Sequence, residues 1–163
     1  MYAVEVRETA KTINHTLVAR GQLIVTAESC TGGLIAGALT DVPGSSDAVF
    51  GGFITYANEA KTAMIGVPMP LIEQHGAVSR EVARAMAEGA RRTVGVAIAI
   101  AVTGIAGPGG GTEGKPVGLV HFACATEEGT THLEKRFGDL GRQGIREASV
   151  EVALGLVREC LGV

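Results

Sequence analysis

The chain has 163 residues, 46% of them hydrophobic, with 14 basic against 17 acidic side chains, a balance that fits one folded domain and not a disordered chain. No basic run is longer than Arg91-Arg92, which argues against nucleic acid as the main partner. The longest apolar or small run, residues 94–106, is well short of the ~20 residues that a spanning helix needs.

Aromatics are 4% and Trp is absent, so the core has to be built from Ala, Val, Ile and Leu. Residues 1–11 carry Glu5, Arg7 and Glu8 and hold no signal-peptide centre. Cys30, Cys124 and Cys160 are odd in number and scattered, with no CxxC, which argues against a disulfide framework or a zinc site. A reducing, cytoplasmic compartment is therefore expected, with no membrane, nucleic-acid or metal partner and no cofactor.

In chain order, Val6, Ala10, Ile13 and Leu17 fall at helical spacing, so residues 3–19 are read as an amphipathic helix that Gly21 stops. Residues 22–27 follow as a short buried strand. Residues 31–39 are read as a helix with Gly32 and Gly33 in its first turn, and residues 41–46 as a turn. Residues 49–56 are a second strand and residues 58–65 a short helix, after which Pro68 and Pro70 break the chain. Ser79 is an N-cap, with Glu81 in the first turn, for a helix that buries Val82, Met86 and Ala90 and runs to about Thr93. Residues 94–102 are a strand covered on both faces, and a Gly-rich loop, residues 104–114, follows it. Residues 117–125 and 130–137 form a hairpin around Glu127, Glu128 and Gly129. Ile145, Ala148, Val152 and Leu156 mark a closing amphipathic helix. Helices alternate with strands and a hairpin ends the series, so the fold class is α/β: a three-layer α/β/α sandwich with a mixed parallel and antiparallel sheet, in one domain.

Several familiar motifs fail. Residues 109–115 imitate a P-loop, but Pro116 stands where a magnesium-binding hydroxyl belongs. No GxGxxG follows a strand. Tyr56 and Lys61 are five apart, where the tyrosine–lysine dehydrogenase pair needs four.

Two features remain. The loop of residues 103–112 follows the most buried strand and offers backbone N–H groups to a phosphate or carboxylate, unless it is simply a surface loop. The stretch Glu28-Ser29-Cys30-Thr31-Gly32-Gly33 joins a strand to a helix, where a serine beside helix N–H groups has ready oxyanion donors. Ser29 or Thr31 as a plain helix N-cap is the competing reading, and Cys30 is a rival nucleophile whose side chain faces away from that of Ser29. A serine nucleophile needs a base. His15, His75, His121 and His132 occupy no suggestive place, which leaves Lys61, with Tyr56, as a Ser–Lys arrangement. Lys61 has then to be neutral near pH 7, a condition that burial supplies; otherwise it is a solvated helix lysine.

Residues 27–33 (AESCTGG), 51–61 (GGFITYANEAK), 76–79 (GAVS) and 102–108 (VTGIAGP), in that order, resemble the C-terminal domain of the CinA (competence/damage-inducible) family, which includes stand-alone nicotinamide mononucleotide deamidases (PncC). The resemblance runs over residues 5–160. It implies an amidohydrolase that converts nicotinamide mononucleotide to nicotinate mononucleotide and ammonia. Ser29 is then the nucleophile, Lys61 the general base and Tyr56 an aid to proton transfer. The substrate contacts implied are Glu28, Thr31, Gly32, Gly33, Asn58, Thr103, Gly104, Ala106, Gly107 and Arg142. Arg142 and Arg146 lie four apart, but residues 140–141 interrupt the family's pattern; Arg142 is the one assigned to a phosphate or carboxylate. The alternatives are a non-catalytic pyridine-nucleotide-binding module linked to competence or DNA damage, and an amidase for another small substrate. A homo-oligomer is expected, since a small apolar α/β domain of this kind often buries a face against a copy of itself.

Overall fold

In the computed structural model, which describes residues 2–163, five strands form one sheet in the order β2-β1-β3-β4-β5. The elements are α1 (Val4–Arg20), β1 (Ile24–Glu28), α2 (Leu34–Thr40), β2 (Val49–Ile54), α3 (Asn58–Ile65), α4 (Met69–His75), α5 (Arg80–Val94), β3 (Ile98–Gly104), β4 (Leu119–Thr126), β5 (Gly129–Arg136) and α6 (Gly141–Leu161). Strands β2, β1 and β3 run parallel, and β4 and β5 are antiparallel, so the sheet is mixed as expected.

The side-chain alternation of β3 explains the two unequal helical layers. Ile98, Ile100 and Val102 face α1, α2 and α6, together with Phe122 of β4 and Ile24 of β1. Ala99 and Ala101 face the other way, with Ala27, Ala123 and Ala125. Alanine on that face lets α5 lie close to the sheet through Ala83, Ala87 and Ala90. Helices α3 and α4 join the same layer through Ile65 and Ile72. Sheet and helices thus make the three-layer sandwich, and Val6, Ala10, Ile13 and Leu17 are buried on α1 as their spacing requires.

Several boundaries differ from the sequence reading. Helix α2 begins at Leu34 and not at residue 31, because Gly32 (φ 57°) and Gly33 (φ 103°) are left-handed and form the turn before it. Residues 68–75 are not a simple break. Helix α4 starts there, with Pro70 at its second position, where its missing N–H has no helical partner to lose. Val94 closes α5, since Gly95 caps that helix with φ 69°, and β3 starts only at Ile98. Helix α6 starts at Gly141; Ile145 and Leu156 are buried on it as read, together with Val150, Leu154 and Val157, while Ala148 and Val152 lie at the margin. The Ser79 cap is present, its Oγ accepting from the Val82 N–H at 3.2 Å. Among the described residues no helix is long and apolar enough to cross a membrane.

Candidate active site

Because β2, β1 and β3 are parallel, the segments that follow them emerge on one edge of the sheet, where open α/β sheets bind ligands. Ser29 follows β1, Thr55 and Tyr56 follow β2, and Ile105–Gly107 follow β3. The chain locks this edge together with backbone bonds: the Ser29 N–H donates to the Val102 carbonyl at 3.0 Å, and the Thr55 N–H to the Glu28 carbonyl at 2.8 Å.

Lys61, on the first turns of α3, is 1% exposed. Its Nζ lies 3.1 Å from Ser29 Oγ and donates to the carbonyls of Thr55 at 2.8 Å and Tyr56 at 3.3 Å. No carboxylate pairs with it among the described residues. Burial therefore holds its pKa below the usual lysine value, outweighing the smaller opposing effects of Cys30 and Glu59. In the neutral form two N–H groups still reach the two carbonyls, and the lone pair is left for the Ser29 hydroxyl.

The turn that carries Ser29 is held from two sides. Glu28 is fully buried, and its carboxylate accepts from the N–H groups of Gly33 at 3.0 Å, Ile35 at 3.1 Å and Ala36 at 2.8 Å. This corrects two expectations. Glu28 caps α2 and offers no oxygen to a substrate, and the start of α2 is already occupied by an anion of the protein's own. Ser29 and Thr31 are not the helix cap either; Gly33 holds that position. Within the turn, Gly32 N–H bonds to the Ser29 carbonyl and Leu34 N–H to that of Thr31. Among the described residues the N–H groups of Cys30 and Thr31 have no acceptor.

From the other side comes Arg146 of α6. Its Nε donates to the Cys30 carbonyl at 3.1 Å and its Nη2 to the Thr31 carbonyl at 3.2 Å. One turn earlier, Arg142 donates from Nη1 to the Gly107 carbonyl at 2.9 Å and from Nη2 to Tyr56 Oη at 3.0 Å. The two arginines thus tie the segments after β1, β2 and β3 to one helix. The four-residue spacing on a helix face was the signal for Arg146, although its target was not legible from it.

The remaining positions divide. Tyr56 is 59% exposed at the mouth, beside Arg142, and Gly32 is exposed. Asn58 is exposed at the first position of α3 and makes no side-chain hydrogen bond among the described residues. Thr103 is buried and its hydroxyl donates to the Ala77 carbonyl, so that side chain fastens the chain before α5. Ala106 is 4% exposed and packs in the core, which likewise takes its side chain out of the site. Gly104 is glycine because a Cβ would press on Val120 and the Leu119 carbonyl; Gly107 has φ 77° and turns its carbonyl to Arg142. In the Gly-rich loop, the N–H groups of Ile105 and Thr112 are bonded to Leu119 and Lys115 carbonyls, so the loop is partly self-satisfied. Cys30 packs in the core as expected, and burial pushes its thiol up to about 12. The hydroxyls of Thr31 and Thr55 are buried without a partner among the described residues. No group of His, Cys, Asp and Glu there is arranged to hold a metal ion. A groove of about 1050 Å³ lies beyond the two arginines, lined by Tyr2, Leu34 and Glu147 as well; neither Ser29 nor Lys61 lines it.

The sequence model of the CinA C-terminal domain matches residues 6–161. A CinA-like protein of Synechococcus sp. (strain RCC307) is 54% identical over 150 residues, 91% of this chain and 36% of that protein. One from Acidobacterium capsulatum is 48% identical over 99% of this chain and 39% of its own length. The chain therefore spans well under half of these relatives. Among solved structures, the competence/damage inducible protein CihA from Agrobacterium tumefaciens matches with TM-score 0.96 and 48% identity, covering 100% of this chain and 99% of that one. The competence damage-inducible protein A (ComA) from Klebsiella pneumoniae matches with TM-score 0.91 and 34% identity, over 96% of this chain and 97% of that one.

Proposed function

The chain belongs to the CinA C-terminal domain family, and on that premise we propose that it hydrolyses the carboxamide of nicotinamide mononucleotide, giving nicotinate mononucleotide and ammonia. The observation that carries the reading is Lys61 Nζ, buried, without a carboxylate partner among the described residues and 3.1 Å from Ser29 Oγ. A buried amine in reach of a serine hydroxyl is what a nucleophile and its base require.

The course is as follows. Neutral Lys61 takes the Ser29 proton while Oγ attacks the carboxamide carbon. The C–O bond forms, and the carbonyl π pair moves to oxygen. The N–H groups of Cys30 and Thr31 are the free donors of the turn and meet that oxyanion. Arg146 supports this arrangement: it draws the Cys30 carbonyl to one side, and peptide planarity turns the Thr31 N–H to the other. The C–N bond then breaks, and the nitrogen leaves as ammonia with the proton from Lys61. Water enters, Lys61 takes its proton as the water oxygen bonds to the acyl carbon, and the C–Oγ bond of the Ser29 ester then breaks; Oγ takes the proton back from Lys61 and the nicotinate product is released. Tyr56 stands at the mouth, where its ring covers the pyridine. Arg142 keeps donors beyond its two protein bonds for the phosphate.

The test is ammonia release from nicotinamide mononucleotide by the wild-type chain and by Ser29→Ala, with calorimetric binding measured in parallel. Wild type releases ammonia; Ser29→Ala loses about three orders of magnitude or more in kcat, as removal of a catalytic serine does elsewhere, and still binds the nucleotide. Retained turnover in Ser29→Ala overturns the nucleophile. Nucleotide binding without ammonia from wild type replaces the enzyme reading with the binding-module one.

A further inference from the structure

Away from the candidate site, His121 of β4 and His132 of β5 meet. In the β4–β5 ladder Glu134 lies directly opposite His121, and His132 is the diagonal neighbour, so the three side chains share one face. It is the face, with Ala123 and Ala125, that packs towards α5. His121 Nδ1 and His132 Nε2 are 2.9 Å apart, and the rings stack with centroids 5.2 Å apart. His121 is 6% exposed and His132 is partly buried. A hydrogen bond between two ring nitrogens needs one donor and one acceptor, so this gap holds one proton and not two. Strand β5 is the edge of the sheet, with β4 as its one neighbour there, and depends on that ladder.

We propose that His121 and His132 form an acid-released latch between β4 and the edge strand β5, closed while the pair carries no added proton or one, and opened by the second. The carboxylate of Glu134, 3.9 Å from His121 Nε2, assigns the N–H of neutral His121 to that nitrogen. Nδ1 of His121 then accepts, and His132 donates. One added proton is accommodated: it sits on His132 Nδ1 while the bridging hydrogen shifts to His121 Nδ1, and the charge stands beside Glu134. A second puts N–H groups on both facing nitrogens and two positive charges in contact. The rings part, and β5 loses their hold.

The surroundings set the direction. Glu134 is held by Arg136 at 2.9 Å; Arg80, Glu81 and Arg84 face the pair from the first turns of α5, and Lys115 from the segment before β4. His75, the end of α4, stands 3.7 Å from Glu81. Burial is the main cause that holds both imidazoles below the usual histidine value. His132 and Lys115 add to it at His121, Arg80 and Arg84 add to it at His132, and Glu134 and Glu81 oppose it at both. The latch is therefore fully closed above the ordinary value of about 6.5 and is lost as pH falls through the two lowered ones. A backbone hydrogen bond at Glu81 and the Arg136 bond at Glu134 hold those carboxyls below their usual value, so both stay charged above pH 5. Ser29 and Lys61 take no part, and the amidase reading can fail without touching the latch.

The test follows amide hydrogen exchange of the native chain from pH 7.5 to 5.0, with each rate divided by the intrinsic rate at that pH. Protection of the β5 amides is expected to fall about a hundredfold, because the opened strand exposes two titrating rings, while β1 and β3 keep theirs. His132→Gln keeps an amide N–H for His121 Nδ1 and leaves one titrating ring, which limits the fall to about tenfold. His75→Gln leaves the wild-type fall intact. On wild type alone, nitrogen NMR of the imidazoles shows His121 and His132 taking up their protons in two steps below pH 6.5. The proposal is overturned by β5 protection that is constant with pH, by an equal fall in His132→Gln, or by a fall that His75→Gln abolishes. A single step for both rings at pH 6.5 or above overturns it as well.

Discussion

At the scale of single residues, the chemistry rests on one amine kept short of partners. A lysine with a carboxylate beside it would keep its proton; Lys61 has two carbonyls and a hydroxyl, all neutral. Its pKa lies below the ordinary value because of burial. The sign for activity follows: as pH falls through the lowered value, Lys61 gains a proton, loses its lone pair, and can no longer accept from Ser29. We therefore expect kcat/KM for the proposed reaction to rise with pH along a limb below the ordinary lysine value of about 10.4. Lys61→Arg, whose guanidinium does not deprotonate, abolishes the limb together with the activity. A flat profile across neutral pH, measured by ammonia release, would sink the assignment of Lys61 as base.

At the scale of elements, two side chains hold the turn of Ser29. Glu28 gives α2 an anion at its N-terminus, where the helix dipole and the unpaired N–H groups favour negative charge. Glu28→Ala leaves those N–H groups in a sealed site, and we expect about 3 kcal/mol or more of lost stability, read as a lower urea midpoint at unchanged slope. Arg146 acts from α6 and bonds only to carbonyls among the described residues. It is a positioning residue for the Cys30–Thr31 peptide. Arg146→Gln is expected to lower kcat by about tenfold to a hundredfold, given what misplacement by about 1 Å costs an enzyme. KM should change little and the Lys61 limb should not move. An equal loss in KM alone would mean that Arg146 touches substrate.

For the whole molecule, the seating of α3 on α5 decides where Lys61 stands. Gly89 lies in the middle of α5, where alanine is ordinarily better by about 1 kcal/mol. Here a Cβ would run into the carbonyl oxygen of Ile65, the last residue of α3. Gly89→Ala is thus expected to cost about 1–3 kcal/mol and, by pushing α3 outward, to reduce turnover as well. At Gly155 of α6 a Cβ would meet nothing within 4 Å, and Gly155→Ala should stabilise by about 0.5–1 kcal/mol. Thermal melts of the two variants check both signs. If they shift alike, close approach of α3 and α5 is not what keeps Gly89 a glycine.

The order of elements was legible in the sequence because its signals are local. The spacing of Val6, Ala10, Ile13 and Leu17, the alternation in residues 98–102 and the cap at Ser79 each act within a few residues. So did the candidacy of Ser29 and Lys61, from a strand-to-helix turn and the want of a suitable histidine. Boundaries failed where a glycine or proline could act in two ways: Gly32 and Gly33 as helix or as left-handed turn, Pro70 as breaker or as first-turn residue. Only tertiary structure decided the rest. The Lys61–Ser29 contact joins residues 32 apart, Arg142–Tyr56 residues 86 apart and Arg146–Cys30 residues 116 apart. Likewise, nothing local says that Glu28 turns inward to cap α2, or that Lys61 is stripped of water. Those outcomes depend on which faces the sheet covers, a property of the packed layers and not of any single segment.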